Sequence, residues 1–231
     1  MRYLVVILLV WIGVCKGYAQ DYETDFREAQ RLFQERAKST QTHLQDYLQD
    51  YPYTPYSDEV HLMQGVLYVE KEKYKQAHKA FQKVEVKNLA RSSESMYYFY
   101  LGYANLQQEE YKKALSCMQK LKDKQNPYFL QATYYTGYCH YKQQNYQQAL
   151  VEFLTLEEAG GYKKIAPYHL VQINNAFSQY DKIYERAEEL LRKYPENDYN
   201  AELHRMMGEI YYQDSIYNDA VRHLKAYYLL R

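Results

Sequence analysis

Seven histidines, three cysteines and 29 acidic residues are the groups in this 231-residue chain able to hold a metal or move a proton. Their spacing does not assemble them. His43, His61, His78, His140, His169, His204 and His223 never fall three or four residues apart with a third ligand nearby, as a helical metal site requires. Glu157-Glu158 and Glu188-Glu189 are adjacent pairs, and neighbours on a helix point to different sides, so neither forms an acid–base dyad. Neither a G-x-S-x-G nucleophile elbow nor a glycine loop for phosphate occurs. The expectation is a non-enzymatic chain with no metal and no cofactor.

The unusual residue is tyrosine, 31 of 231. A rigid ring with a polar tip gives a large contact area at small entropic cost, which serves recognition as readily as packing. Deciding between the two requires the elements that carry the rings.

Those elements repeat. Residues 133–153 hold the whole unit: a glycine inside an aromatic helical pattern, a short polar turn Gln143-Gln144-Asn145, then Tyr146-x-x-Ala149-x-x-x-Phe153. Tyr-x-x-Ala recurs as Tyr74–Ala77, Tyr111–Ala114, Tyr146–Ala149, Tyr184–Ala187 and Tyr217–Ala220, with the alanines 37, 35, 38 and 33 residues apart. Twelve residues before four of these alanines stand Gly65, Gly102, Gly137 and Gly208, and four residues after all five stand Phe81, Met118, Phe153, Leu191 and Leu224. Gly on one helix and Ala on the next permit close antiparallel crossing, and the large residue one turn later fills the space beside it. One such pair cannot bury its apolar face alone, so neighbours must stack.

At these residues the chain resembles the tetratricopeptide repeat family, whose unit of about 34 residues carries W-x-x-L-G-x-x-Y, A-x-x-x-F and then P. Tyr98-x-x-Leu101-Gly102, His204-x-x-Met207-Gly208-x-x-Tyr211 and His61-x-x-Gln64-Gly65-x-x-Tyr68 match best; no unit keeps the Trp, and one has Asn174-Asn175 where Leu-Gly is wanted. His61, His140 and His204 stand where the repeat wants a packing aromatic.

The resemblance implies an all-α, right-handed superhelical solenoid of about six helix-turn-helix repeats forming one domain over 20–231. They fall at about 22–52, 57–88, 92–125, 127–159, 164–195 and 198–231, separated by Asn126-Pro127, Gly160-Gly161, Ala166-Pro167 and Pro195-Glu196. Gly65, Ala77, Gly102, Ala114, Gly137, Ala149, Ala187, Gly208 and Ala220 are then repeat-packing residues. In the family the first helix of each pair lines a concave groove, which implies a partner-binding stripe of Leu62, Val66, Phe99, Tyr103, Leu106, Tyr134, Tyr138 and Tyr141. The subfamily that grips chaperone carboxylates needs Lys, Asn and Arg there, which this chain lacks.

Residues 1–19 carry Arg2, an apolar run over 4–14 too short to span a bilayer, and Gly17-Tyr18-Ala19 suited to signal peptidase. Cleavage before Gln20 and export are expected; a lipid anchor at Cys15 is the rival reading, disfavoured by Val14 before it. Cleavage removes Arg2 and Lys16 and no acid, taking the net charge from 0 to −2. Such a balance offers no case for nucleic acid or an anionic membrane. Cys117 and Cys139 fall on neighbouring helices, where export would permit a bridge, though two small buried thiols are the plainer reading.

Tyr51-Pro52-Tyr53-Thr54-Pro55-Tyr56 is similar to the Y-P-x-S-P-Y-A phrase between repeats of the outer-membrane β-barrel assembly lipoprotein and its periplasmic relatives. The resemblance implies the periplasm or the periplasmic face of the outer membrane. An adaptor for envelope proteins is the leading reading; a glycan-binding module using groove tyrosines, or the N-terminal spacer of a larger protein, are the alternatives. Ala226-Tyr227-Tyr228-Leu229-Leu230 leaves an apolar last helix without a polar cap, so further repeats, a partner or self-association are expected to cover it.

Overall fold

The computed structural model describes residues 21–231; the leader, its cleavage before Gln20 and the Cys15 anchor lie outside the described residues. Twelve α-helices and no strand occur among the described residues. They are α1 (21–34), α2 (Thr40–Asp50), α3 (Ser57–Glu70), α4 (Tyr74–Phe81), α5 (Arg91–Gln107), α6 (Tyr111–Gln119), α7 (Phe129–Lys142), α8 (Tyr146–Leu156), α9 (Ala166–Ala176), α10 (Tyr180–Lys193), α11 (Asn200–Gln213) and α12 (Tyr217–Leu230). None of them is long and apolar enough to cross a membrane. The described residues divide between Gln108 and Glu109 into two compact units.

The turns between paired helices are built alike. Arg36, Glu72, Glu109, Gln144, Ser178 and Ser215 all have positive φ, between 53° and 61°, and none is glycine. After most of these left-handed turns the next residue reaches back to the end of the preceding helix: Lys73 N donates to Tyr68 O at 2.7 Å, Asn145 N to His140 O at 2.9 Å, Gln179 N to Asn174 O at 2.9 Å and Ile216 N to Tyr211 O at 2.8 Å. This closure satisfies a carbonyl that the helix end leaves free. A tyrosine then opens the next helix at 74, 111, 146, 180 and 217.

That geometry corrects the register of the fifth pair. The helix opens at Tyr180, not Tyr184, two residues after the Ser178 turn. Asn174 therefore aligns with Tyr68, His140 and Tyr211, and Leu170-Val171 takes the Leu-Gly place that Asn174-Asn175 was expected to hold. Ile183 stands where the other pairs have Ala, and Ala187 stands where they have the large residue. Val171, Ile183 and Ala187 are all fully buried in one core cluster.

Where the glycine is present, the large residue lies directly on it. A Cβ added to Gly65 would come within 2.3 Å of the Phe81 ring, one on Gly137 within 3.1 Å of the Phe153 ring, and one on Gly208 within 2.7 Å of Leu224 Cγ. The fifth pair inverts this arrangement, with the larger side chain on the first helix and the small one opposite.

The unit up to Gln108 has two cores. Phe26, Ala29, Leu44, Tyr47, Val60 and Met63 join α1, α2 and α3, while Val66, Ala77, Phe81 and Ala104 join α3, α4 and α5. The proline segment 51–56 is held at the first of these. Tyr56 stacks on Phe26 with centroids 4.1 Å apart, and Tyr47 hydroxyl bonds Thr54 Oγ1 at 3.0 Å. In the unit from Glu109, one core gathers Ala149, Phe153, Leu156, Leu170 and Ile173, and the other Val171, Ile183, Ala187, Leu203, Met207 and Ile210.

Candidate partner-binding faces

The eight residues of the expected stripe separate by burial. Leu62 and Val66 are each 1% exposed and Leu106 is 6% exposed, so they supply packing and present no side chain to a partner. The reason is that α3 is packed on several sides, by α2, α4 and α5. Phe99 and Tyr103 of α5 are half-buried, Tyr103 lying against the α3–α5 core. Phe99 also meets the adjacent Tyr100 ring edge-on at 5.3 Å.

Tyr134, Tyr138 and Tyr141 of α7 are half-buried and converge on one residue that the sequence reading passed over, His169 of α9. Their centroids lie 5.7, 6.2 and 6.1 Å from the imidazole. Phe153 stacks on its face at 4.5 Å and Tyr168 leans on it at 5.4 Å. At the centre of this nest the polar atoms pair with one another. His169 Nδ1 lies 2.9 Å from Gln172 Oε1, and Gln172 Nε2 donates to the Tyr168 hydroxyl at 2.8 Å. An amide oxygen only accepts, so Nδ1 carries the proton and Nε2 is left to accept from Tyr134 hydroxyl at 3.2 Å.

Burial pushes the His169 pKa down to about 4, against the Gln172 hydrogen bond that favours the protonated ring. Burial likewise raises Tyr134, and raises Tyr168 to about 12. At neutral pH the cluster is uncharged. It contains a base and several hydroxyls, but His169 is only 6% exposed, so it holds tyrosines in place and offers no reactive group to solvent. The only signal for it in the sequence is that Tyr134 and His169 stand 35 residues apart, about one repeat.

A second histidine contact joins α11 to α12. His204 Nδ1 and His223 Nδ1 lie 2.8 Å apart, and Tyr211 stacks on His223 at 5.4 Å. Burial lowers both pKa values. Among the described residues no group of three or more His, Cys, Asp and Glu is placed to hold a metal ion. Cys117 and Cys139 are both buried, and burial pushes the Cys139 thiol up to about 12.

Of the expected packing residues, Gly65, Gly102, Gly137 and Gly208 are buried, as are Ala77, Ala114, Ala149, Ala187 and Ala220.

Residues 62–128 match the family model for the tetratricopeptide repeat. No curated protein is significantly similar in sequence. Among solved structures, a tetratricopeptide repeat protein from Parabacteroides merdae superposes with a TM-score of 0.66 at 17% identity, covering 91% of this chain and 80% of its own. MamA from AMB-1 gives 0.62 at 16% identity over 77% of this chain and 93% of its own, and MamA from MSR-1 gives 0.61 at 16% over 76% and 97%. The chain is thus similar to the tetratricopeptide repeat family over residues 62–128, and most of its length has the all-helical fold of the Parabacteroides repeat protein.

Proposed function

We infer that this chain is a non-catalytic protein-interaction scaffold of the bacterial cell envelope, exported by its leader and acting in the periplasm. Partner segments rest on the aromatic faces of α5 and α7, anchored by Phe99 and Tyr103 on one unit and by Tyr138 and Tyr141 on the other. The observation that carries the reading is the mounting of the α7 tyrosines around His169. Rings already held in one orientation lose little freedom when a partner arrives, which favours binding by shape and aromatic contact. On the first unit, the buried Leu62 and Val66 belong to the core against which Tyr103 packs.

The test is a cross-linked pull-down from envelope extract with the tagged chain, run beside a Phe99→Ala, Tyr103→Ala, Tyr138→Ala version of matched helicity. Tyr134 is left intact because its hydroxyl bonds His169. Envelope proteins enriched only by the native chain support the scaffold. Equal recovery by both versions removes these faces from the reading.

A further inference from the structure

The space between two consecutive second helices is filled with rings in the last repeat and open in the repeat before it. In the last pair the Tyr211 ring of α11 lies 4.6 Å from that of Tyr184 in α10 and 5.4 Å from that of His223 in α12, and Tyr184 hydroxyl donates to the Asp214 carboxylate at 2.6 Å. Counting from Tyr146, Tyr180 and Tyr217, which open the second helices, the same four places one repeat earlier are Leu150 of α8, Asn174 of α9, Arg186 of α10 and Phe177 in the turn between them. All four line a cleft of about 600 Å³. Rings also stand at the Asn174 place in α3 and α7, as Tyr68 and His140; Asn105 is the other amide there, and it has interactions of its own. The opening is thus set by the residues of this pair, with helices of the same unit on both sides of it.

The lining says what fits. Asn174 is 5% exposed, and its amide has no hydrogen-bond partner among the described residues, which leaves a donor and an acceptor at the floor of the cleft. Phe177 stands where the last pair has Asp214; it is 38% exposed, and Tyr146 meets its ring edge-on at 5.9 Å. Lys182 and Arg186 line the cleft and no carboxylate does. Arg186 is already paired with Glu157, whereas Lys182 Nζ meets the Gln179 amide oxygen at 3.0 Å and no acid among the described residues. One positive charge is therefore left without a counter-charge. We propose that this cleft binds a small planar aromatic monocarboxylate. Its ring takes the place that the Tyr211 ring takes in the next repeat, against Phe177, Leu150 and Leu154, and its carboxylate accepts from Asn174 Nδ2 and Lys182 Nζ. The volume lies within the ~300–1,000 Å³ of sites for small organic ligands.

Indole-3-acetate is the probe, titrated against the whole chain and followed by saturation-transfer NMR, with indole-3-acetamide as its uncharged counterpart. The native chain is expected to bind the acetate with a Kd of ~1 mM or tighter, and the acetamide at least ~3-fold more weakly. Lys182→Gln, at an exposed position, is expected to weaken the acetate at least ~3-fold and to leave the acetamide unchanged. Phe177→Ala is expected to weaken both at least ~5-fold. Asn174→Tyr places in α9 the residue that α3 and α11 carry there, so it is expected to fill the cleft and abolish binding of both, with helicity matched to the native chain by circular dichroism. A native chain that does not bind the acetate, equal affinity for acetate and acetamide, or binding indifferent to Phe177→Ala or to Asn174→Tyr would each overturn the proposal.

Discussion

Phe153 lies between two helices that the repeat brings together: its ring edge is 3.1 Å from where a Cβ on Gly137 would stand, and its face stacks on His169 at 4.5 Å. The residue that fills the α7–α8 crossing is thus also one wall of the nest that holds Tyr134, Tyr138 and Tyr141. Helix packing and the aromatic face share a single support.

That support is sensitive to acid. The ordinary His value is about 6.5, and His169 is held down to about 4 by burial. A base with a depressed folded pKa takes up its proton in the unfolded chain first. As pH falls from about 6.5 toward 4 the unfolded state gains protons and stability falls, by up to about 3 kcal/mol; above 6.5 both states are neutral and the effect vanishes. Urea unfolding near pH 7 and near pH 4.5 should show a smaller acid loss in His169→Phe than in the native chain. Since His61, His140, His204 and His223 are depressed by burial too, only the difference between variants reports on His169. Parallel losses in the two proteins would show that His169 is not a buried neutral base.

Gly65→Ala is expected to destabilise by about 1–3 kcal/mol, because its Cβ meets the Phe81 ring at 2.3 Å and Phe81 is 1% exposed with no room to turn. Gly208→Ala meets the Leu224 side chain at 2.7 Å and its backbone N at 3.3 Å; the side chain is 38% exposed and has room to swing aside, and the backbone need give only slightly, so its cost should be smaller. Gly161→Ala meets nothing within 4 Å and should change stability by no more than about 0.5 kcal/mol. Thermal melts of the three variants rank them; Gly161 at or above Gly65 in cost would refute the close-crossing account.

Cys117 and Cys139 should resist alkylation in the folded chain and react once it is denatured. Both are buried, and a thiol at about 12 holds almost no thiolate at pH 8. Iodoacetamide labelling with and without urea, mapped to each peptide by mass, checks this. Rapid modification of Cys139 in the native chain would contradict its burial between helices.

The helical pairs were legible in the sequence because Tyr-x-x-Ala coincides with helix starts at Tyr74, Tyr111, Tyr146 and Tyr217. It misleads in the fifth pair, where Tyr180 and Tyr184 stand one turn apart on the same face and only the second has an alanine three residues on. The deciding feature is the left-handed turn at Ser178, and a non-glycine residue gives no sign of positive φ. Burial misleads in another way. Leu62, Val66 and Leu106 share a helical side with half-buried neighbours, and only the helices packed around them settle which are covered. His169 gave no sign of its role because the α7 tyrosines that gather on it stand up to 35 residues away.

The inverted fifth pair makes the strongest claim on the repeat logic. If Val171 and Ala187 occupy the places held by Gly137 and Phe153 in the pair before, the two positions should be coupled through one shared volume. Val171→Gly alone removes buried methyls and adds helix flexibility, costing about 2–4 kcal/mol. Ala187→Leu alone overfills the core, costing about 1–3 kcal/mol. Together they restore the small-then-large order of the other pairs, so the double variant should be more stable than the sum of the single losses predicts, by at least about 1 kcal/mol. Urea midpoints for the four proteins of this cycle give the coupling directly. Strict additivity would mean that the two side chains do not compete for the same space, and the Tyr180 register would then fail as an account of how this pair packs.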